Sequence, residues 1–225
     1  MIKTKEEYLK ELNVLYEDNH LLIVEKFKDV LSQKDETNDL DMTEIIKEYI
    51  KVKYNKPGNV YLGLIHRLDR RVGGVMVFAK TSKSASRLSE DIRNHDFEKY
   101  YLVKVKGTIT KDGSINIKLL KDEKTRLAIV DNKGKDSILN YKVYKNEIDY
   151  TYLIVELITG RYNQIRASFA HIGYPIVNDF KYDKTIKANK DDLGLWCYKI
   201  SLNHPVTKEK LTIELMPLGN MWNIK

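Results

Sequence analysis

The segment Leu64-Ile-His-Arg-Leu-Asp-Arg-Arg-Val-Gly-Gly-Val-Met-Val-Phe-Ala-Lys80 places one carboxylate, Asp69, among Arg67, Arg70 and Arg71, and follows it at once with an apolar run. Gly74 to Ala79 has the unbroken apolar character of a strand buried on both faces. Guanidinium groups nearby favour the charged form of an acid, so Asp69 is expected to be ionised and available as a nucleophile or base. Taken alone, such an Asp-Arg cluster is more often a surface ion pair on a loop. Its neighbours along the chain carry the distinction.

Upstream, Val14-Leu-Tyr16 and Leu21-Leu-Ile-Val24 flank the polar Glu17-Asp-Asn-His20 and read as a β-hairpin. Asp41 with Glu44 marks a helix start, Ile45, Ile46, Tyr49 and Ile50 repeat at helical spacing, and Pro57-Gly58 ends the segment. Downstream, Ser82 caps a helix running to about Asn94 with Ala85, Leu88 and Ile92 inward, and Tyr100 to Gly107 alternates as a strand. Residues 108–149 read as turns and short strands broken at Gly113 and Gly134, and Thr151 to Thr159 is a β-branched and aromatic strand. A short helix from Asn163 stops at Gly173 and Pro175, and Trp196–Leu202 with Lys210–Met216 form a closing hairpin around His204-Pro205. With no repeat or flexible linker, the pattern predicts a single α+β domain over residues 13–225, after an N-terminal extension of residues 1–12. Its sheet is expected to be mixed and mostly antiparallel, with flanking helices.

The 225 residues are enough for a self-supporting core, and four prolines, eleven glycines and 42% hydrophobic residues exclude collagen-like and disordered classes. Cys197 is the single cysteine and the five histidines never reach ligand spacing, so neither a disulfide nor a metal is expected. Gly73-Gly74 lacks the lysine or third glycine of a nucleotide-binding loop, and no cofactor is expected. The longest aliphatic run is Leu21 to Val24 and the N-terminus mixes lysines with glutamates, which predicts a soluble cytoplasmic protein without a membrane segment. The net charge of +7 is unevenly spread. Residues 1–60 carry 10 basic and 13 acidic groups, residues 61–225 carry 29 and 19, and all eight arginines lie beyond His66. An anionic partner is expected to meet the later part of the chain.

His66-Arg67-Leu68-Asp69, followed by Gly74 and Ala79-Lys80, resembles the signature of the RluA-type RNA pseudouridine synthases. The resemblance is collinear over roughly residues 13–218. Leu15 to Lys26 is similar to the family's opening strands and Lys99 to Gly107 to its Lys-x-Tyr strand. Thr159 to Arg166 with Ala170 to Pro175 is similar to its third motif, and His204-Pro205 through Met216-Pro217 to its closing hairpin. The resemblance implies a pseudouridine-synthase-like domain with a central RNA-binding cleft, and the isomerisation of uridine in RNA after the base is flipped from its stack. By the same carry-over Asp69 is the essential catalytic residue, Tyr101 the aromatic that meets the base, and Arg166 the partner that holds Asp69. Arg67 is placed to fill the vacated stack. Lys99 and Arg161, with the lysines at 80, 83, 104 and 106, are candidates for phosphate contacts. His66 is expected to support the loop rather than to carry protons.

The chain departs from the family pattern at Val72-Gly73-Gly74, Asn163, Ser168 and Leu195-Trp196-Cys197. None of these is an assigned catalytic residue. Only a dozen residues precede the first predicted strand, leaving no room for the S4-type RNA-binding module of many relatives, so the catalytic domain is expected to recognise its RNA unaided, as a monomer. A ribosomal-RNA stem-loop is the first expectation for substrate and a tRNA loop the second. Two alternatives have different signatures: a non-catalytic RNA-binding or ribosome-assembly protein on the same fold would tolerate loss of Asp69, and an acid/base hydrolase would need a second carboxylate in a comparable setting, which the sequence lacks.

Overall fold

The computed structural model describes residues 3–189, 191–222 and 224. The chain forms two compact units, Met1–Phe97 with Lys199–Met216, and Glu98–Tyr198 with Pro217–Lys225.

In the first unit, β2 (Leu21–Lys26) lies between β1 (Val14–Glu17) and β4 (Gly73–Ala79), antiparallel to both, with Leu21 opposite Ala79 and Lys26 opposite Gly74. The short β3 (Gly63–Leu64) also pairs with β4. Every residue of β4 and all but one of β2 are buried, which is why these strands read as continuous apolar runs rather than alternating ones. Helix α2 (Met42–Lys53) starts where the Asp41 carboxylate accepts the Thr43 and Glu44 amides, and packs Met42, Ile45, Ile46 and Ile50 with Leu22, Val24, Met76 and Phe78. Helix α3 (Ser82–Arg93) is capped by Thr81, one residue before the expected Ser82: the Thr81 hydroxyl accepts the Ser84 amide at 3.2 Å.

Residues expected as an extension form α1 (Lys5–Glu11), opened by a capping box in which Thr4 and Glu7 exchange side-chain to backbone hydrogen bonds. Tyr8 and Leu9 pack on the core of this unit, so the segment belongs to the fold.

In the second unit, β5 (Glu98–Lys106), β6 (Gly113–Asp122), β7 (Leu127–Val130), β8 (Lys135–Asn146) and β9 (Tyr150–Leu157) stand in the order β5-β9-β8-β6-β7, all paired antiparallel. The region expected as short strands holds strands of ten and twelve residues. Their buried positions, such as Ile115, Leu119 and Leu139, are separated by exposed lysines and other polar residues that dilute the alternation. Helix α4 (Gln164–His171) follows Asn163, and β10 (Leu195–Asn203) is divided between the units, its second half pairing with β11 (Lys210–Glu214). The structure thus has the α+β class expected.

Two polar locks hold the first unit. His204 Nε2 lies 2.7 Å from Asp18 Oδ2 while its Nδ1 accepts the Val206 and Thr207 amides, so Nε2 carries the hydrogen and the ring ties the closing hairpin to the opening one. Glu17 is the second lock. Burial pushes its carboxyl up, but hydrogen bonds from Lys53, Lys80, Tyr54 and Tyr49 outweigh that and hold it at about 2. A pKa depressed on folding contributes stability that is complete above the unfolded value and is lost as pH falls through the folded one. The Glu17 contribution, at most about 3 kcal/mol, should be full above about pH 5 and fade between there and pH 2. Urea midpoints of the native chain and Glu17→Gln should therefore differ at pH 7 and converge toward pH 2; a constant gap would assign the effect to packing.

Candidate active site

In the first unit Asp69 opens a tight turn into β4: its carbonyl accepts the Val72 amide and its Oδ1 the Arg71 amide, both at 3.0 Å. Gly74, at φ 122°, enters the strand through a conformation that L side chains rarely adopt.

The turn is held from below. Lys26, fully buried at the end of β2, donates to the carbonyls of Phe27 at 2.9 Å, Arg70 at 3.1 Å and Val72 at 2.8 Å. Burial pulls its ammonium down to about 7, and the charges of Asp69 and Asp29 oppose that fall. On the preceding residue, the Ser32 hydroxyl donates to the Leu68 carbonyl and accepts the Leu68 amide, at 2.7 and 3.1 Å. His66 Nε2 accepts the Val77 amide of β4 at 3.2 Å and its ring packs against Phe97. Arg70 is turned to Asp39 and the Asp29 carbonyl. Arg67 is exposed.

In the second unit Tyr101 stands on β5 opposite Val155 of β9 and is buried. Burial, then the neighbouring Cys197 thiol, pushes its phenol well above the ordinary value, so at neutral pH it is a hydrogen-bond donor with an aromatic face. Lys99, on the same strand face, is only 8% exposed and its ammonium is lowered by burial. This corrects the expectation of a surface phosphate contact: alternation along β5 turns Lys99 to the buried side with Tyr101. Lys80, committed to Glu17, is likewise no open phosphate contact.

Arg166, on α4, is 2% exposed and donates through Nε and a terminal nitrogen to the two carboxylate oxygens of Asp179, with Nε 2.7 Å from Oδ2. Its guanidinium lies 5.2 Å from the Tyr182 ring centre, and the Tyr182 hydroxyl accepts the Ala128 amide of β7 at 2.8 Å. Gln164 uses its whole amide, accepting from Thr159 and the Arg161 backbone and donating to the Ile138 carbonyl, which pins the loop before α4. Asn163 sits at φ 48°, ψ 27°, a left-handed position that asparagine tolerates well. Arg161 is exposed, its Nε donating to the Asp136 carbonyl at 2.8 Å.

Lys26, Ser32, Asp179 and Tyr182 were not singled out from sequence. A lysine closing the buried strand Leu21–Lys26 is a detectable anomaly. Asp179 carries no local signal, because it meets Arg166 across thirteen residues, from the loop that follows α4. Among the described residues no group of three or more His, Cys, Asp or Glu could hold a metal, and no helix is long and apolar enough to cross a membrane.

The fold is that of the solved human RNA Pseudouridylate Synthase Domain Containing 4, with a TM-score of 0.79 and 18% identity over 94% of this chain and 92% of that one. Human RNA Pseudouridylate Synthase Domain Containing 1 is similar, with a TM-score of 0.75 and 18% identity over 96% of this chain and 86% of that one. Residues 20–171 match the profile of the RNA pseudouridylate synthase family, and the chain belongs to that family. Among curated relatives, ribosomal large subunit pseudouridine synthase C of Buchnera aphidicola subsp. Baizongia pistaciae is 34% identical over 89% of this chain. Ribosomal large subunit pseudouridine synthase D of Haemophilus influenzae is 28% identical, also over 89%. The chain spans 65% of the length of each of these two relatives.

Proposed function

We propose that this chain isomerises uridine to pseudouridine in structured RNA, with Asp69 as the reacting carboxylate. The observation that carries the reading is the Asp69 turn, held by a buried lysine and a buried serine inside the family's matched region. In the reaction the N1–C1′ bond breaks, the uracil turns, C5 bonds to C1′, and the C5 hydrogen is lost as a proton while N1 gains one. Atoms balance without redox change or an external group. Tyr101 offers its ring to the turning base, and Arg166, oriented by Asp179, is the cation assigned to the reaction. Extruding the uridine costs a few kcal/mol, which backbone contacts and a side chain in the vacancy offset. Arg67, exposed two residues before Asp69, fills the vacancy, and the exposed Arg161 contacts phosphate.

The large-subunit names of the relatives favour ribosomal RNA over tRNA as substrate. The protein acts as a monomer in the cytoplasm. RNA tritiated at uridine C5 tests the reaction: release of tritium from unmodified large-subunit rRNA is expected, and its absence across rRNA and tRNA substrates overturns the reading. Mapping pseudouridines in rRNA from cells lacking the protein then names the position.

A further inference from the structure

Residues 49–89 carry nine basic residues and a single acid, Asp69. Several of these bases converge far from the Asp69 turn, at the opposite end of β4. Three ammonium groups lie close to one tyrosine ring: Lys80 at 4.7 Å, Lys53 at 5.7 Å and Lys56 at 5.9 Å from the centre of Tyr54. The carboxylate paired with them is Glu17, which binds both Lys53 and Lys80. Lys83, in the first turn of α3, is exposed, and that turn contains no acid. Lys53, Lys56, Lys80 and Lys83 against Glu17 leave an excess of three positive charges.

The surface is aromatic as well as basic. Tyr54 is 45% and Tyr61 48% exposed, and residues 52–59 are exposed without interruption. Gly63 pairs with Ala79, and a side chain there would meet the Ala85 side chain of α3 and the Tyr61 hydroxyl, which sets Tyr61 at the same end of β4 where Tyr54 lies beside Lys80. An ordinary solvated lysine face intersperses acids with bases; here bases surround exposed rings and the one paired acid is buried beneath them. Ammonium groups beside exposed aromatic faces match a polyanion that also presents π-faces.

We propose that this Tyr54–Tyr61–Lys56–Lys83 surface is a second RNA contact, about 20 Å from Asp69 along β4, that grips the backbone and an unpaired base outside the target nucleotide. It rests on the reading of RNA as substrate and extends it to a surface separate from the catalytic turn.

Binding of an unmodified large-subunit rRNA transcript, measured over a series of KCl concentrations, tests it. Lys56→Gln/Lys83→Gln, which leaves the Glu17 pairs intact, should reduce the slope of log K against log salt by about 1.4–1.8, with the kcat for tritium release at saturating RNA unchanged. Lys56→Arg/Lys83→Arg should restore the slope, and Tyr61→Ala should weaken binding by about tenfold. An unchanged slope and affinity in the glutamine variant overturns the proposal. If the native chain releases no tritium but the slope still falls, catalysis fails as the reading and the RNA surface stands; normal release with an unchanged slope removes the surface alone.

Discussion

Asp69→Asn should reduce tritium release from C5-labelled RNA by about 10³-fold or more while leaving the fold and RNA affinity nearly unchanged. The structure separates the two effects. The Oδ1 of Asp69 accepts the Arg71 amide, and an asparagine oxygen can make the same bond. The carbonyls of Arg70 and Val72 keep their hydrogen bonds to Lys26, which loses only the favourable charge of Asp69. What is lost is the charge and nucleophilicity of the carboxylate, a deficit of about 4 kcal/mol or more at the transition state. Single-turnover release, circular dichroism and RNA binding at fixed salt check the three statements. Release within tenfold of the native chain would remove Asp69 from the chemistry, and would favour a non-catalytic protein on this fold if no other substrate were turned over.

Asp179→Ala carries the largest expected effect on stability. Arg166 and Asp179 form a bidentate pair, both nearly inaccessible to water, and removing one partner of such a pair typically costs about 3–5 kcal/mol. For a chain of this size that lowers Tm by roughly 6–20 °C. Activity should fall further than stability alone explains, because Arg166 loses the carboxylate that sets its orientation. Tyr182→Phe separates the ring from the hydroxyl. It keeps the aromatic face beside the guanidinium and leaves the buried Ala128 amide without its acceptor, at a cost of about 1–3 kcal/mol. A thermal scan of Asp179→Ala within 2 °C of the native chain would show that the pair is not the organising contact of α4.

Most elements were legible because each carries its own local physics. Val75, Met76, Val77 and Phe78 are buried on both faces of β4 and show an unbroken apolar run; Asp41 and Glu44 announce α2; Gly173 ends α4. Helix α1 leaves little trace in the sequence because its seven residues bury nothing fully and its apolar positions are few, although Thr4 and Glu7 spell a capping box. Strands β6 and β8 were underestimated because exposed lysines occupy the alternate positions that face water. Lys99 was misplaced for a related reason: a lysine in a sequence reads as a surface charge until strand alternation and its neighbours show which way it points.

The amino-acid sequence by itself determined the α+β class and the family resemblance, and singled out Asp69, Tyr101 and Arg166 as candidates, because these depend on residue type and order along short segments. The tertiary structure alone decided what holds each of them. Lys26 meets the Arg70 and Val72 carbonyls across 44 and 46 residues, Ser32 meets Leu68 across 36, and Tyr182 meets Ala128 across 54. Such contacts are fixed by how strands and loops pack, and a buried charge satisfied by distant backbone leaves no periodicity to read. The basic stretch of residues 49–89 follows the same division: its charge is visible in the chain, but only the fold gathers Lys53, Lys56 and Lys80 around Tyr54.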